Sequence, residues 1–312
     1  MDFSVVIPTY NGAERLPKVL DCLQAQEVPP DLQWEIIIVD NNSRDETAAI
    51  VEQYQSTWNI DVPLRYVLEP LQGAAFARQT GIRQAHSELV GFLDDDNLPA
   101  TNWVAEAIAF SRQFPAAGAF SGPIDGCFDI EPPAGFDAIK PYLAIRNHGN
   151  EVKEFEPNKL QLPPAASLVV RKQAWLDNVP SQPALIGRVK ETGMLGGEDY
   201  EVLLHIHKAG WKIMYAPALR TTHQIPAQRL ERDYLLQLAR SCGLTTCQLL
   251  LINAENWRKP IIVFRLFLGS FRRLCWHILK HKKHTHEDLA TAFEFEFHLG
   301  SLLSPVYIRR WS

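Results

Sequence analysis

Three consecutive carboxylates, Asp94, Asp95 and Asp96, follow the apolar run LVGFL at 89–93 and precede Asn97. At roughly 4 Å and an effective dielectric near 20, each like-charged pair costs about 4 kcal/mol, so a cation should share this space. Mg2+ and Mn2+ take one or two carboxylates plus the phosphates of a bound substrate, and a D-x-D at a strand end therefore predicts metal-assisted nucleotide chemistry. Taken alone, the motif reads equally well as an acidic turn in water. Asp40 ends another apolar run, WEIIIV at 34–39. A carboxylate there can accept the ring N–H that uracil, thymine and guanine present, or it can close an Asx turn. Gly73-Ala74-Ala75-Phe76-Ala77-Arg78 places a helix start and a guanidinium where a diphosphate could bind, although Arg78 could equally be solvated. Glu198 and Asp199 follow two glycines at a predicted helix start. Adjacent carboxylates can have their pKa values pushed apart, leaving one as a general base for a sugar hydroxyl; the alternative is favourable charge at a helix N-terminus. His223, eight residues after Tyr215, can complete a metal site as a neutral imidazole or serve structurally. His205 and His207 lie two apart on a helix and cannot form a metal pair.

These residues need a scaffold that gathers them. Strands are predicted at 3–7, 34–39, 64–68, 89–93, 166–170 and 212–215, with helices at 13–25, from Asp45 and Glu46, at 74–85, at 172–176 and from 198 to 210. Alternation of this kind gives right-handed crossovers and an α/β fold with a mostly parallel central sheet flanked by helices. Ligands then sit beyond the carboxyl ends of the strands. Pro8-Thr9-Tyr10-Asn11, Asp40-Asn41-Asn42-Ser43 and Asp94-Asp95-Asp96 all lie at such ends, so they should line one crevice. Residues 122–164 read as a long excursion over the open face of the sheet, where a second substrate would lie, or as a disordered surface loop. The pattern turns helical after Ile225-Pro226, dividing a catalytic domain at 1–226 from a helical extension at 227–312.

At 312 residues, 46% hydrophobic and 21% charged, the chain is globular. Its formal charge of −5 provides no basic field for nucleic acid. Cys22, Cys127, Cys242, Cys247 and Cys275 are scattered and odd in number, as in a reduced cytosolic protein. The first residues lack the basic and apolar regions of a secretory signal, and no uninterrupted apolar run reaches the roughly 18 to 20 residues of a spanning helix. The expected location is the cytoplasm, extending to the inner face of the plasma membrane if the C-terminal helix meets lipid.

In order along the chain, SVVIPTYN at 4–11, VDNNSRDET at 39–47, QGAAFARQTGI at 72–82, FLDDDN at 92–97 and GGEDYE at 196–201 resemble the family 2 glycosyltransferases. The resemblance covers about residues 1 to 225. PPAASLVVRKQAWL at 163–176 and Glu131-Pro132-Pro133 are most similar to a cyanobacterial group assigned to hormogonium polysaccharide synthesis. The resemblance implies a GT-A fold, a nucleotide-diphosphate sugar donor (a UDP-sugar favoured), a Mg2+ or Mn2+ cofactor, and a saccharide or lipid-linked acceptor. It implies that Pro8, Thr9 and Tyr10 wall the base pocket, that Asp40 contacts the base, and that Asp94 lies near the ribose with Asp95 among the donor contacts. It puts Asp96 on the metal with His223 nearby, Arg78 at the diphosphate, Asp199 as catalytic base and Glu198 beside it. The implied reaction is a single inverting displacement.

Processive polysaccharide synthases carry a Q-x-x-R-W motif and membrane spans. Here Arg310-Trp311 is the only R-W, with Tyr307 in place of the glutamine, which favours transfer of a single sugar. A sugar-nucleotide pyrophosphorylase would need a Gly-rich basic loop where Pro8-Thr9-Tyr10-Asn11-Gly12 stands. The competing class is a nucleotide-sugar-binding or scaffolding protein that has lost turnover; the joint presence of Asp40, Asp96 and Asp199 argues against it. Between Trp257 and Lys283 lie Arg258, Lys259, Arg265, Arg272, Arg273, Lys280, Lys282 and Lys283 with no Asp or Glu, interleaved with apolar residues. This helix either lies in an anionic membrane interface or packs on the catalytic domain with its basic edge in water. His277, His281, His284 and His286 sit among these lysines and read as part of a solvated basic tail.

Overall fold

The computed structural model describes residues 1–189, 193–281 and 287–308. Strands are β1 (Phe3–Thr9), β2 (Trp34–Asp40), β3 (Leu64–Leu68), β4 (Leu89–Leu93), β5 (Asn97–Pro99), β6 (Ala117–Ser121), β7 (Ile124–Phe128), β8 (Lys153–Glu154), β9 (Ser167–Arg171), β10 (Lys212–Tyr215) and β11 (Thr221–Ile225). Helices are α1 (Leu16–Gln24), α2 (Thr47–Thr57), α3 (Ala74–Gln84), α4 (Trp103–Gln113), α5 (Lys172–Leu176), α6 (Glu198–Lys208), α7 (Arg232–Ile252), α8 (Lys259–His281) and α9 (Leu289–Ile308). The chain forms two compact units. One comprises Met1–Cys127, Ala144–Ile186 and Glu198–Gln224; the other comprises Phe128–Leu143, Gly187–Gly197 and Ile225–Ser312. The helical extension expected from residue 227 is thus joined in its unit by two earlier segments, which no break in the sequence pattern announces.

In the first unit, the described residues form an eight-stranded sheet in the order β3-β2-β1-β4-β9-β6-β10-β8. β1 pairs in parallel with β2 and β4, β2 with β3, and β10 with β6. β9 runs antiparallel to both β4 and β6, so the sheet is mostly but not wholly parallel. Every residue of β2 and β4 is buried, as their unbroken apolar runs require of strands covered on both faces. α1 begins at Leu16 instead of Ala13 because Gly12 to Arg15 are used in a turn, with the Arg15 N–H donating to the Gly12 carbonyl at 3.0 Å. α2 likewise begins at Thr47, whose N–H donates to Asp45 Oδ1 at 3.1 Å.

Gly91 in β4 lies under the edge-to-face pair Phe3 and Trp103, whose ring centroids are 5.6 Å apart. A Cβ on Gly91 would stand 2.5 Å from both rings. Gly91→Ala therefore overpacks the core beneath the Asp94–Asp96 turn, with an expected loss of about 1–3 kcal/mol in urea unfolding.

In the second unit α7 and α8 each pack against α9. Tyr142 meets Phe293 at 4.7 Å between centroids, and Arg240 pairs with Glu296 at 2.5 Å. α7 is long and apolar enough to cross a membrane by length and composition alone, although Gln237, Arg240 and Gln248 interrupt its apolar character. Leu235, Leu238, Ala239, Cys247 and Leu249 are buried along it. Lys282, Lys283, His284, His286, Arg310 and Trp311, which figured in the sequence reading, lie outside the described residues.

Candidate active site

The register of the sheet sets Thr9 beside Asp40, and the Asn41 N–H donates to the Thr9 carbonyl at 2.8 Å. Pro8 and Thr9 close β1, and Tyr10 projects from the turn with 44% of its surface exposed, free to meet a planar base. Asp40 is buried. Its Oδ1 accepts the Ser43 N–H at 2.9 Å and its Oδ2 accepts the Tyr66 hydroxyl at 2.6 Å. Burial and the Asp40 charge together push the Tyr66 phenol well above its ordinary pKa. Asp40 therefore closes an Asx-type turn at the carboxyl end of β2. The loops after β1 and β2 are tied together: Asn11 N–H to Ser43 Oγ at 2.9 Å, Gly12 N–H to Thr47 Oγ1 at 2.9 Å and Ala13 N–H to Asp45 Oδ2 at 3.1 Å.

The three aspartates after β4 have three different environments. Asp95 turns inward: Arg15 Nε and Nη2 grip its two oxygens at 2.8 Å each, and the Thr9 hydroxyl donates to Oδ2 at 2.6 Å. Burial raises its pKa, Arg15 works against that rise, and neighbouring Asp96 adds to it. A Cβ on Gly12 would lie 2.0 Å from Thr9 Oγ1 and 2.7 Å from Asp95 Oδ2, so only glycine permits this bond. Asp95, grouped from sequence with the donor contacts, is engaged by protein through both oxygens and fixes the turn that presents its neighbours.

Asp94 accepts from Arg78 Nη2 at 3.0 Å, while Nη1 of the same guanidinium donates to Glu198 Oε1 at 3.2 Å. Arg78 has an 8% exposed side chain. Burial opposes its charge, but Asp94, Glu198 and Asp199 outweigh burial and raise its pKa. The N–H groups of Gly73 and Ala75 at the start of α3 go to Asn41 Oδ1 at 2.7 Å and the Ile186 carbonyl at 3.4 Å. The helix start and guanidinium expected at a diphosphate are thus engaged with protein groups, and Arg78 ties the β4 turn to the start of α6.

β11 runs antiparallel to β5 and brings His223 opposite Asn97. His223 Nε2 stands 3.4 Å from Asp96 Oδ2, with both side chains buried, and Asn97 Nδ2 donates to Asp96 Oδ1 at 2.8 Å. Asn97 Oδ1 is buried without a hydrogen-bond partner. No group of three or more His, Cys, Asp or Glu side chains is arranged to hold a metal among the described residues. A carboxylate oxygen and an imidazole nitrogen at this spacing suit a divalent ion such as Mn2+, provided substrate phosphates and water fill the remaining positions.

Asp199 lies at the first turn of α6, where its Oδ2 accepts the Ala165 N–H at 3.1 Å and its Oδ1 accepts the Tyr200 N–H at 2.9 Å. Burial and the adjacent Glu198 push its carboxyl up to about 6, against the opposing pull of Arg78 and the two backbone donors. Ala75, Arg78, Ala165, Leu168, Trp175 and Val202 line the small pocket with Glu198 and Asp199. A carboxylate ionised near neutrality in an apolar-walled recess suits general-base work. Asp40, Thr9, Asp95, Asp94, Arg78, Glu198 and Asp199 are thereby linked through sheet register and side-chain contacts within one unit. Arg15 and Tyr66, which hold Asp95 and Asp40, escaped the sequence reading. Neither carries a motif signal, because each acts through a partner distant in sequence.

The family described as Glycosyl transferase family 2 matches residues 4–158. Glycosyltransferase AglE of Haloferax volcanii is 29% identical over 184 residues, 59% of this chain and 57% of that protein. Poly(ribitol-phosphate) beta-N-acetylglucosaminyltransferase TarS of Staphylococcus aureus is 34% identical over 111 residues, 35% of this chain and 19% of that protein. The chain thus spans little more than half of the first relative's length and about a fifth of the second's. Among solved structures, mannosyltransferase PcManGT from Pyrobaculum calidifontis, in complex with GDP-Man and Mn2+, superposes with a TM-score of 0.60 at 19% identity, covering 96% of this chain and 86% of that one. TarS 1–349 in complex with UDP gives 0.52 at 17% identity over 98% and 92%. The fold is GT-A.

Proposed function

We propose that this chain, whose residues 4–158 match the Glycosyl transferase family 2 description, is an inverting glycosyltransferase that moves one sugar from a nucleotide-diphosphate donor to a saccharide or lipid-linked acceptor. The observation that supports the reading is the Asp94–Arg78–Glu198 bridge, which ties the D-x-D turn to the first turn of α6, where Asp199 lies. Asp40 and the wall formed by Pro8, Thr9 and Tyr10 would receive the base. Asp94 would meet the ribose, and Asp96 with His223 would hold Mg2+ or Mn2+. When bound, the ion would offset charge on the leaving diphosphate. Asp199 would take the acceptor hydroxyl proton as that oxygen attacks the anomeric carbon. Arg78 would keep Asp94 and Glu198 in place and temper the basicity of Asp199.

The UDP complex of TarS favours a uridine nucleotide, while the GDP-Man complex of PcManGT keeps a guanosine donor in view. The motifs at 163–176 and 131–133 support a place in the hormogonium polysaccharide group. A lipid-linked acceptor would require contact with a bilayer, and residues 257–283 are the segment fitted to make it.

Thermal unfolding with a panel of UDP-, GDP- and dTDP-sugars, each with Mn2+, tests donor binding. At a hundredfold excess over Kd the cognate donor should stabilise the fold by about 2.7 kcal/mol, and Asp96→Ala should weaken that protection. Absence of protection by every member of the panel would remove the reading.

A further inference from the structure

We propose that the outward face of α8 is a docking surface for an anionic lipid bilayer. At 3.6 residues per turn, Leu266, Ser270, Leu274 and His277 share one side of α8, and all four are buried. The opposite side carries Ile261, Phe264, Leu268, Phe271 and Leu279, exposed by 50, 65, 53, 51 and 68%. Arg265 and Arg272, seven residues apart, run along one border of this apolar stripe, and Trp276 beside them is 69% exposed. No Asp or Glu occurs from Trp257 to His281.

An exposed aromatic and aliphatic stripe with a basic border is the pattern of a helix that lies in the plane of a membrane, with rings among the acyl chains and guanidinium groups at anionic headgroups. Charge complementarity selects this occupant. An antiparallel pairing with a second copy of the same face would set the arginine borders side by side, whereas an anionic surface neutralises them. The inference extends the lipid-linked-acceptor reading without depending on transfer, because binding is measured without donor.

The experiment is flotation of the full chain with vesicles of phosphatidylglycerol mixed with phosphatidylcholine, compared with phosphatidylcholine alone. The chain should float with the anionic vesicles at low salt, progressively less as salt rises, and little with the neutral ones. The double variant Arg265→Glu, Arg272→Glu should lose about tenfold or more of the binding. Phe264→Ser with Phe271→Ser should lose a similar amount while melting as the parent does, since these rings are exposed in the folded chain. Donor-dependent nucleotide release in solution should be unchanged in both variants. Absence of flotation at low salt, or parental flotation by both variants, overturns the proposal. So does a dimer by light scattering that Phe264→Ser, Phe271→Ser dissolves in a chain that never floats, which would assign the face to a second copy.

Discussion

Asp199→Asn should lower sugar transfer by about a thousandfold while leaving donor affinity near the parental value, because a positioned general base contributes about 10²- to 10⁴-fold. The amide keeps the size of the side chain but cannot take a proton. Its carbonyl oxygen can still accept one of the two backbone N–H groups, from Ala165 or Tyr200, that the carboxylate now accepts. The parental protein provides a second readout. The carboxyl of Asp199 is pushed up to about 6 by burial and by Glu198, and only its ionised form accepts a proton. Below that pH kcat/KM should fall by about tenfold per unit, and above it the profile should level. Stopped assays across the acid range, run under single-turnover conditions, measure it. Parental transfer by Asp199→Asn would remove the residue from the chemistry.

Arg78→Met should be the most destabilising single change at the site. It deletes a guanidinium whose side chain is 8% exposed and leaves Asp94 and Glu198 facing one another beside Asp199 without a cation. Removing one partner of a fully buried pair costs about 3–5 kcal/mol; with Asp94 36% exposed and Glu198 14% exposed, water screens part of the loss and about 1–3 kcal/mol is expected. Denaturant unfolding at neutral pH should show a loss of that size. Where enough folded protein remains, the acid limb should also move to higher pH, because Arg78 is one of the groups that hold the Asp199 pKa down. Stability near the parental value together with an unmoved limb would show that the bridge does not couple the two carboxylate sites.

The parts of this architecture legible in the sequence were those specified locally. The continuous apolar runs that became β1, β2 and β4 end at polar turns, and their buried backbones need neighbours on both sides. α5 and β10 fall where the pattern placed them. β6, with the sequence AGAFS, was missed because small residues carry neither period nor β-branched signal. The reversed direction of β9 was also hidden, since a strand's direction is set by its connection and neighbours rather than by its composition.

The site divides in the same way. Asp40, Asp94, Asp96 and Asp199 announced themselves through their places at strand and helix ends. What each carboxylate touches did not, because Arg15 reaches Asp95 across 80 positions and Arg78 reaches Glu198 across 120. A triple aspartate looks uniform in sequence. In the fold Asp95 is clamped by Arg15 and Thr9, Asp94 is held by Arg78, and Asp96 stands beside His223.

Release of nucleoside diphosphate from the stabilising sugar donor, followed with and without Mn2+ in the parent and in Asp96→Ala, decides whether Asp96 and a divalent ion act together in sugar transfer. Release by the parent should depend on Mn2+ and fall by at least about two orders of magnitude in the variant. Release that ignores both the ion and Asp96, or no release from any donor that binds, would contradict that joint action.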